Sequence, residues 1–137
     1  MKTLRARLAF LLLLFVSVVQ VPAAETFDLT TEFQRLPLGM DCPIPRFSWK
    51  MAVATNSDRL SVRGQAQTAY RILVASTPDK LIEGSADIVD SGRVTSSESV
   101  LVNWKLPTLK SKTRYYWTVR IWDQAGKAGN YAPPGLV

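Results

Sequence analysis

The sequence predicts an all-β protein, an antiparallel β-sandwich, and three observations support this prediction. Apolar and polar residues alternate with a period of two in several short stretches, as in strands that bury one face. Turn-forming residues separate these stretches at fairly regular intervals. The one stretch with helical character, residues 78–84, is too short to connect two parallel strands. Successive strands must therefore pair through antiparallel connections.

Residues 114–123 show the clearest strand pattern, because an apolar face of Tyr115, Trp117, Val119 and Ile121 alternates with Tyr116, Thr118, Arg120 and Trp122. Two other stretches alternate in the same way, residues 46–51 and residues 68–75. The polar stretch 56–64, the Ser91-Gly92 pair, residues 107–113 and the segment from Gly126 to Gly129 supply the turns. In chain order, the predicted strands are residues 26–30, 46–51, 68–75, 88–90, 100–104 and 114–123.

The end of the chain predicts an incomplete final strand. Only seven residues run from Tyr131 to Val137, and Pro133 and Pro134 donate no backbone hydrogen bond. A returning strand is therefore expected to be short or absent, which would leave the strand at residues 114–123 poorly covered. Such an edge favours self-association and marginal stability.

Tyr115 and Trp49 indicate which kind of sandwich to expect. Tyr115 lies just inside a strand, after a loop that contains Leu109. This spacing is typical of a tyrosine corner, in which the phenol bonds to loop backbone. Trp49, on an earlier strand, would fill the core. Together they favour a fibronectin type III-like or immunoglobulin-like fold, and the alternative is that both are ordinary sheet aromatics.

Residues 1–24 are predicted to be a signal peptide, followed by one β-sandwich domain at residues 25–137. A short basic segment precedes the apolar run of residues 8–19, whose 12 residues are fewer than the roughly 20 that a spanning helix needs. We therefore expect export to the periplasm or the exterior with a cleaved signal, and no stable membrane anchor.

Two cleavage sites suit the small side chains that export peptidases require at positions −1 and −3. Cleavage after Ala23 places Val21 at −3, whereas cleavage after Ala24 places Pro22 there, which is less favourable. The mature chain is thus expected to begin at Ala24 or Glu25.

Composition excludes several chemistries. The chain has 137 residues, no histidine and a single cysteine, Cys42, so a histidine-dependent triad, a Cys/His dyad and a Cys/His zinc site are excluded. Beyond residue 24 it carries 14 basic and 11 acidic side chains, a net charge of +3 that does not indicate a nucleic-acid partner. The densest basic stretch, from Lys105 to Arg114, is interpreted as a solvated loop and strand edge.

Four blocks of the chain carry a resemblance to a known family. They are LGMD with PRFSW (residues 38–41 and 45–49), QTAYRILVAS (67–76), DIVDSGRV (87–94) and YYWTVRIWDQAG (115–126). In this order they resemble the N-terminal sandwich domain of bacterial α-L-rhamnosidases. The resemblance implies a parent enzyme with further β-domains and an α/α barrel that carries the acids of an inverting glycosidase, and none of that barrel is in this chain.

The resemblance therefore implies a structural role, in which this domain or fragment packs against downstream domains of the same enzyme and helps position the catalytic barrel. The alternative is an independent, secreted carbohydrate-binding or adhesion module. The sequence alone does not identify the rhamnoside that a parent enzyme would cleave. No cofactor is expected.

Four acids lie inside the blocks and are the candidates for catalytic groups: Asp41, Asp87, Asp90 and Asp123. A glycosidase commonly needs two carboxyls about 5–9.5 Å apart, one of them with a raised pKa. Asp90 and Asp123 instead precede turn residues, which is typical of carboxylates that accept backbone N–H bonds. We therefore assign no catalytic, cofactor-binding or metal-binding residue.

Exposed aromatic residues were considered as a sugar-stacking platform. Trp117 and Trp122 are favoured as core residues, and Trp104, near a loop, is the best candidate for a surface aromatic. Arg46 and Arg120 lie beside aromatic residues in sequence and are predicted to stack on rings as structural cations.

Overall fold

The computed structural model describes residues 23–40, 42–52, 64–105 and 107–137 as two facing β-layers. The predicted leader up to residue 22, Asp41 and most of the polar stretch 56–64 lie outside the described residues. Within the described ranges, no helix has the length and hydropathy of a membrane span. The elements are β1 (Glu25–Thr31), β2 (Phe47–Ala52), β3 (Gln67–Ala75), a 3-10 helix (Pro78–Lys80), β4 (Val89–Asp90), β5 (Val94–Thr95), β6 (Tyr116–Asp123) and β7 (Gly135–Leu136).

The first layer is the antiparallel pair β1 and β2, in which Thr31 faces Phe47. Residues 99–102 lie beside β2 without forming a regular strand. Trp49 N donates to Ser99 O at 2.9 Å, and Phe47 and Val102 exchange two backbone hydrogen bonds. The predicted strand at residues 100–104 is therefore wrong as a regular element. The reason is Leu101, whose φ of 49° interrupts the extended conformation.

The second layer has the order β4-β3-β6-β7, and β5 also pairs with β3. Every pairing is antiparallel, and β3 and β6 form the long central pair, with Ile72 opposite Val119. The antiparallel all-β fold predicted from the alternation is thus confirmed. Its central strand β6 is flanked on both sides, as expected of the most apolar strand.

The core lies between the two layers and centres on aromatic residues. Phe47 and Trp49 of β2 meet Trp117 of β6, with ring centroids 4.3 Å and 6.5 Å apart. Trp49 also makes an edge contact with Tyr70 at 5.3 Å. The predicted alternation holds on β6, where Trp117, Val119 and Ile121 are all buried. Trp49 is the core residue that the sequence suggested.

The tyrosine corner is present. The Tyr115 side chain is buried, and its hydroxyl oxygen accepts a hydrogen bond from the backbone N–H of Lys110 at 3.1 Å. Leu109 packs against the same core cluster. This bond joins the loop before β6 to the strand, as the corner requires.

The final strand is short, as predicted, but the expected uncovered edge is wrong. The segment that begins at Lys127 runs back along β6 and forms backbone hydrogen bonds with it. These bonds, at 2.9–3.1 Å, run from Asp123 N to Lys127 O, from Gly129 N to Ile121 O and from Ala132 N to Val119 O. At the end of the chain, Val137 and Tyr115 exchange two bonds of 3.0 Å. Irregular backbone thus provides the partners that the two-residue β7 lacks, and the basis for self-association through this edge disappears.

Candidate functional site

Three of the four acids weighed for catalysis, Asp87, Asp90 and Asp123, lie in the described part of the chain and are occupied in turns and ion pairs. Asp90, at the end of β4, binds the Arg71 guanidinium through both oxygens at 2.8 and 2.7 Å, and it accepts the N–H groups of Gly84 and Gly92 at 3.0 Å. Asp123 accepts two turn N–H groups at 2.9 Å. These contacts agree with the turn-capping interpretation of both residues.

The pKa shifts of Asp87 and Asp90 do not suit a general acid. The Arg71 hydrogen bonds lower the pKa of Asp90, and bonds from Ser76 together with Lys80 lower that of Asp87. A glycosidase acid needs the opposite shift. Among the described residues, no group of three metal-ligating side chains comes together.

Acidification is expected to weaken the fold through Asp90. Because its folded-state pKa lies below the ordinary aspartate value of 3.8, its stabilising bonds persist above that pH and are lost as the pH falls further. Asp90→Asn should therefore cost about 1–2 kcal/mol of unfolding free energy at pH 7, and the difference from wild type should shrink below pH 3.8. Urea unfolding at several pH values measures this. Asp79→Asn, at an exposed acid, is the control, and a pH-independent difference for Asp90→Asn would contradict the argument.

The outer face of the second layer carries a polar network around Glu83. Its carboxylate accepts bonds from Arg71, Arg120 and the Tyr131 hydroxyl at 2.8, 2.6 and 2.7 Å. The Arg120 guanidinium also lies over the rings of Tyr131 and Trp122, at 4.7 and 5.7 Å. The predicted cation–π role of Arg120 is confirmed. Within this network, the guanidinium groups of Arg71 and Arg120 are paired with the Glu83 carboxylate.

Arg46 was predicted to stack on aromatic rings, and this is wrong. Its guanidinium instead forms a two-bond ion pair with Glu32, at 3.0 and 2.8 Å, and its backbone N–H donates to the same carboxylate. Phe47 and Trp49 turn inward from the neighbouring positions and are already packed in the core.

The tryptophans do not form an open sugar platform. Trp117 is fully buried, as predicted, and Trp104 packs partly against the core. Trp122 was predicted to be a core residue, and this is wrong, because it is only half-buried and lies outside the core cluster. The Arg93 guanidinium lies 4.8 Å above its ring. A sugar would have to displace that cation to stack on Trp122.

The Glu32–Arg46 pair closes the base of a long connection between the two strands of the first layer. We call residues 33–45 the apolar loop. Glu32 N also donates to Arg46 O at 3.0 Å, so the two ends of the loop are held together. The described part of the loop presents large apolar side chains to solvent, and Leu38 is 85% exposed. The exposed apolar residues are Phe33, Leu36, Leu38 and Ile44.

A groove of about 890 Å³ is lined by the apolar loop, by the tyrosine-corner segment and by Leu136 and Val137. One wall consists of residues 36–40 with Cys42 and Pro43, and the other of residues 108–115. Leu38, Gly39 and Met40 belong to the first block of the family resemblance, yet they line this groove instead of the core. These three residues therefore shape a surface groove and do not fill the core.

The second wall is basic. Lys110, Lys112 and Arg114 line it, and in the described part of the chain none of their side chains forms an ion pair. An apolar wall opposite unpaired cations suits a partner surface that carries both apolar and carboxylate side chains. The basic stretch was predicted to be a solvated loop and strand edge, whereas no prediction covered the apolar loop. The available signal was a run of large apolar residues interrupted by Pro37 and Gly39, without strand alternation.

Fold and surface together define an immunoglobulin-like β-sandwich module with a surface groove that is lined by apolar and basic side chains. Residues 26–136 match the family model described as "Rha78A-like, N-terminal immunoglobulin domain". This match extends from the start of β1 to the end of β7. The chain therefore belongs to the family of N-terminal immunoglobulin domains of α-L-rhamnosidases.

Individual relatives agree with this assignment. An α-L-rhamnosidase of Streptomyces avermitilis is 42% identical over 105 residues, which are 77% of this chain and 9% of that protein. One from Formosa agariphila is 39% identical over 98 residues, 72% of this chain and 10% of the relative. The chain thus spans about a tenth of the length of these relatives.

Solved structures show the same relationship. The crystal structure of the Streptomyces avermitilis α-L-rhamnosidase complexed with L-rhamnose superposes with a TM-score of 0.73 at 38% identity, and covers 83% of this chain and 10% of that one. The α-L-rhamnosidase from Dictyoglumus thermophilum gives a TM-score of 0.69 at 30% identity, covering 81% and 12%.

Proposed function

We propose that this chain is the N-terminal accessory domain, or a fragment, of an exported α-L-rhamnosidase-like glycoside hydrolase, and that it supports the catalytic part without taking part in the reaction. The observation that carries the proposal is the family match over residues 26–136 combined with relatives about ten times as long. The acids of the network and turns agree with it, because they are committed to ion pairs and backbone bonds. Export rests on the basic and apolar segments of residues 1–19.

The partner that we propose for the groove is the downstream part of the same enzyme. Leu136 and Val137 line the groove, so any polypeptide that continues beyond Val137 would leave this domain beside it. The large apolar side chains of the loop would be covered by this contact, and Lys110, Lys112 and Arg114 would meet carboxylates. Coverage of a side chain as exposed as Leu38 contributes about 1.5–3 kcal/mol to such a contact.

A domain exchange tests the proposal. In the Streptomyces avermitilis enzyme, the matching segment is replaced by residues 24–137 of this chain, so that Ala24 and Val137 keep their contacts with the core and with Tyr115. We expect a folded chimera that releases rhamnose from an aryl rhamnoside, whereas the 137-residue chain alone releases none. The accessory role would be contradicted if the repurified 137-residue chain released rhamnose and its Asp90→Asn variant did not. A chimera that does not fold would contradict the equivalence of the two domains.

Two matched variants of the chimera test the groove. Leu38→Asp should lower the melting midpoint of the chimera and expose the junction to protease, while the short chain with the same change keeps its stability because Leu38 is not in the core. Ile82→Asp is the control, since Ile82 is 60% exposed but lies outside the groove. Equal effects of both variants on the chimera would contradict docking through this surface.

The nucleotide sequence downstream of Val137 distinguishes this proposal from the alternative, an independent carbohydrate-binding or adhesion module. A frame, continuous or shifted, that encodes a large helical glycosidase supports the accessory domain. Unrelated sequence after a genuine stop supports the module.

A further inference from the structure

Ala24, at the border of the predicted leader, belongs to the folded domain. Ala24 as a whole residue is 1% exposed and is part of the core cluster, although it precedes the first residue of β1. Ala23 is half-buried and Glu25 is exposed, so the transition from core to surface falls within these three residues. The Ala24 carbonyl also lies against Gly129 of the returning segment, where a β-carbon would come within 2.1 Å of it. The fold therefore uses Ala24 as its first core residue.

The leader sequence independently favours the bond before Ala24. Cleavage between Ala23 and Ala24 places alanine at −1 and Val21 at −3, whereas cleavage one bond later places Pro22 at −3. A leader peptidase acts on a chain that has not yet folded, so the burial of Ala24 does not guide the enzyme. Two separate requirements, the shallow peptidase pockets and the core of the mature domain, thus select the same bond.

We propose that the Ala23–Ala24 bond is the processing site and that Ala24 is the first residue of the mature protein. The inference rests on the export part of the proposed function. In the reaction, water adds to the Ala23 carbonyl carbon and the C–N bond breaks. The leader leaves with the Ala23 carboxylate, and Ala24 keeps the amino group. Cleavage one bond later would remove a core methyl group and the carbonyl that packs on Gly129, which would destabilise the start of β1.

The experiment is expression of the full 137-residue chain in an exporting bacterium, followed by intact mass and N-terminal sequencing of the exported protein. A mature protein that begins at Ala24 supports the proposal. A start at Glu25 overturns the choice of bond and leaves export standing. An intact Met1 overturns both the processing site and the export proposal.

Two leader-region variants test the assignment independently. Ala23→Leu places a bulky side chain at −1, so we expect at least a tenfold loss of processed protein. Were the bond after Ala24 the real site, the same leucine would stand at the tolerant −2 position, and unchanged processing would overturn the proposal. Ala24→Gly should be processed at the same bond but melt at a lower temperature, because it removes a buried methyl group. An unchanged melting temperature would overturn the core role of Ala24.

Discussion

Replacement of Gln67 by leucine is expected to lower the free energy of unfolding by about 3 kcal/mol, because it removes one buried and two part-buried hydrogen bonds at roughly 1 kcal/mol each. Gln67 begins β3 and is only 8% exposed. Its side-chain oxygen accepts the Trp49 indole N–H at 2.9 Å, and its side-chain nitrogen donates to the carbonyl oxygens of Ser96 and Glu98 at 3.0 and 2.8 Å. The amide therefore links both layers to the segment that follows β5.

Chemical denaturation followed by far-UV circular dichroism measures this loss. Leucine has nearly the volume of glutamine, so the change leaves three polar groups without partners and creates little cavity. Gln124→Leu, at an exposed glutamine in the turn after β6, is the matched control and should change stability by less than about 0.5 kcal/mol. If both variants lose the same small amount, Gln67 does not link the layers.

Replacement of Gly129 by alanine is expected to cost about 2–3 kcal/mol, because the new β-carbon would stand 2.1 Å from the carbonyl oxygen of Ala24. The clash involves backbone on both sides, so no side-chain rotation relieves it. Either the start of β1 must shift from the core or the Gly129–Ile121 bond of 2.9 Å must break.

Thermal unfolding of the exported protein measures the effect, with Asn130→Ala at the exposed neighbouring position as the control. Hydrogen exchange should show faster opening of β1 in Gly129→Ala and unchanged protection of β3. A variant as stable as wild type would contradict the packing of Ala24 on Gly129. It would also remove one of the two arguments for a mature chain that begins at Ala24.

Local patterns in the sequence were sufficient for the central strands and for the tyrosine corner. The alternation on residues 114–123 identifies which side chains of β6 face the core, because a strand has only two faces and one of them must be buried. The Leu109-to-Tyr115 spacing is equally local, since both partners of the Tyr115 hydrogen bond lie within a few residues. The turn bonds of Asp90 and Asp123 were predicted for the same reason, whereas the ion pair of Asp90 with the distant Arg71 was not.

Contacts between distant residues were beyond the reach of these patterns. Arg46 pairs with Glu32 across a loop, and Glu83 joins Arg71, Arg120 and Tyr131 from three parts of the chain. The coverage of β6 by residues 127–137 was missed because irregular backbone has no period, although it supplies hydrogen bonds as well as a strand does. The groove was not predicted because the exposed apolar residues of the loop follow neither a strand nor a helix period.

The sequence by itself determined the all-β class, the core face of the main strands and the relationship to rhamnosidase N-terminal domains. It also excluded the chemistries that require histidine or a second cysteine. Each of these depends on residue identity or on short spacing. Only the tertiary structure decided that Gln67 links the layers, that Ala24 belongs to the core and that the apolar loop faces a basic wall. The physical reason is that burial and hydrogen bonding depend on which distant segments meet, and chain folding brings those segments together without leaving a local pattern.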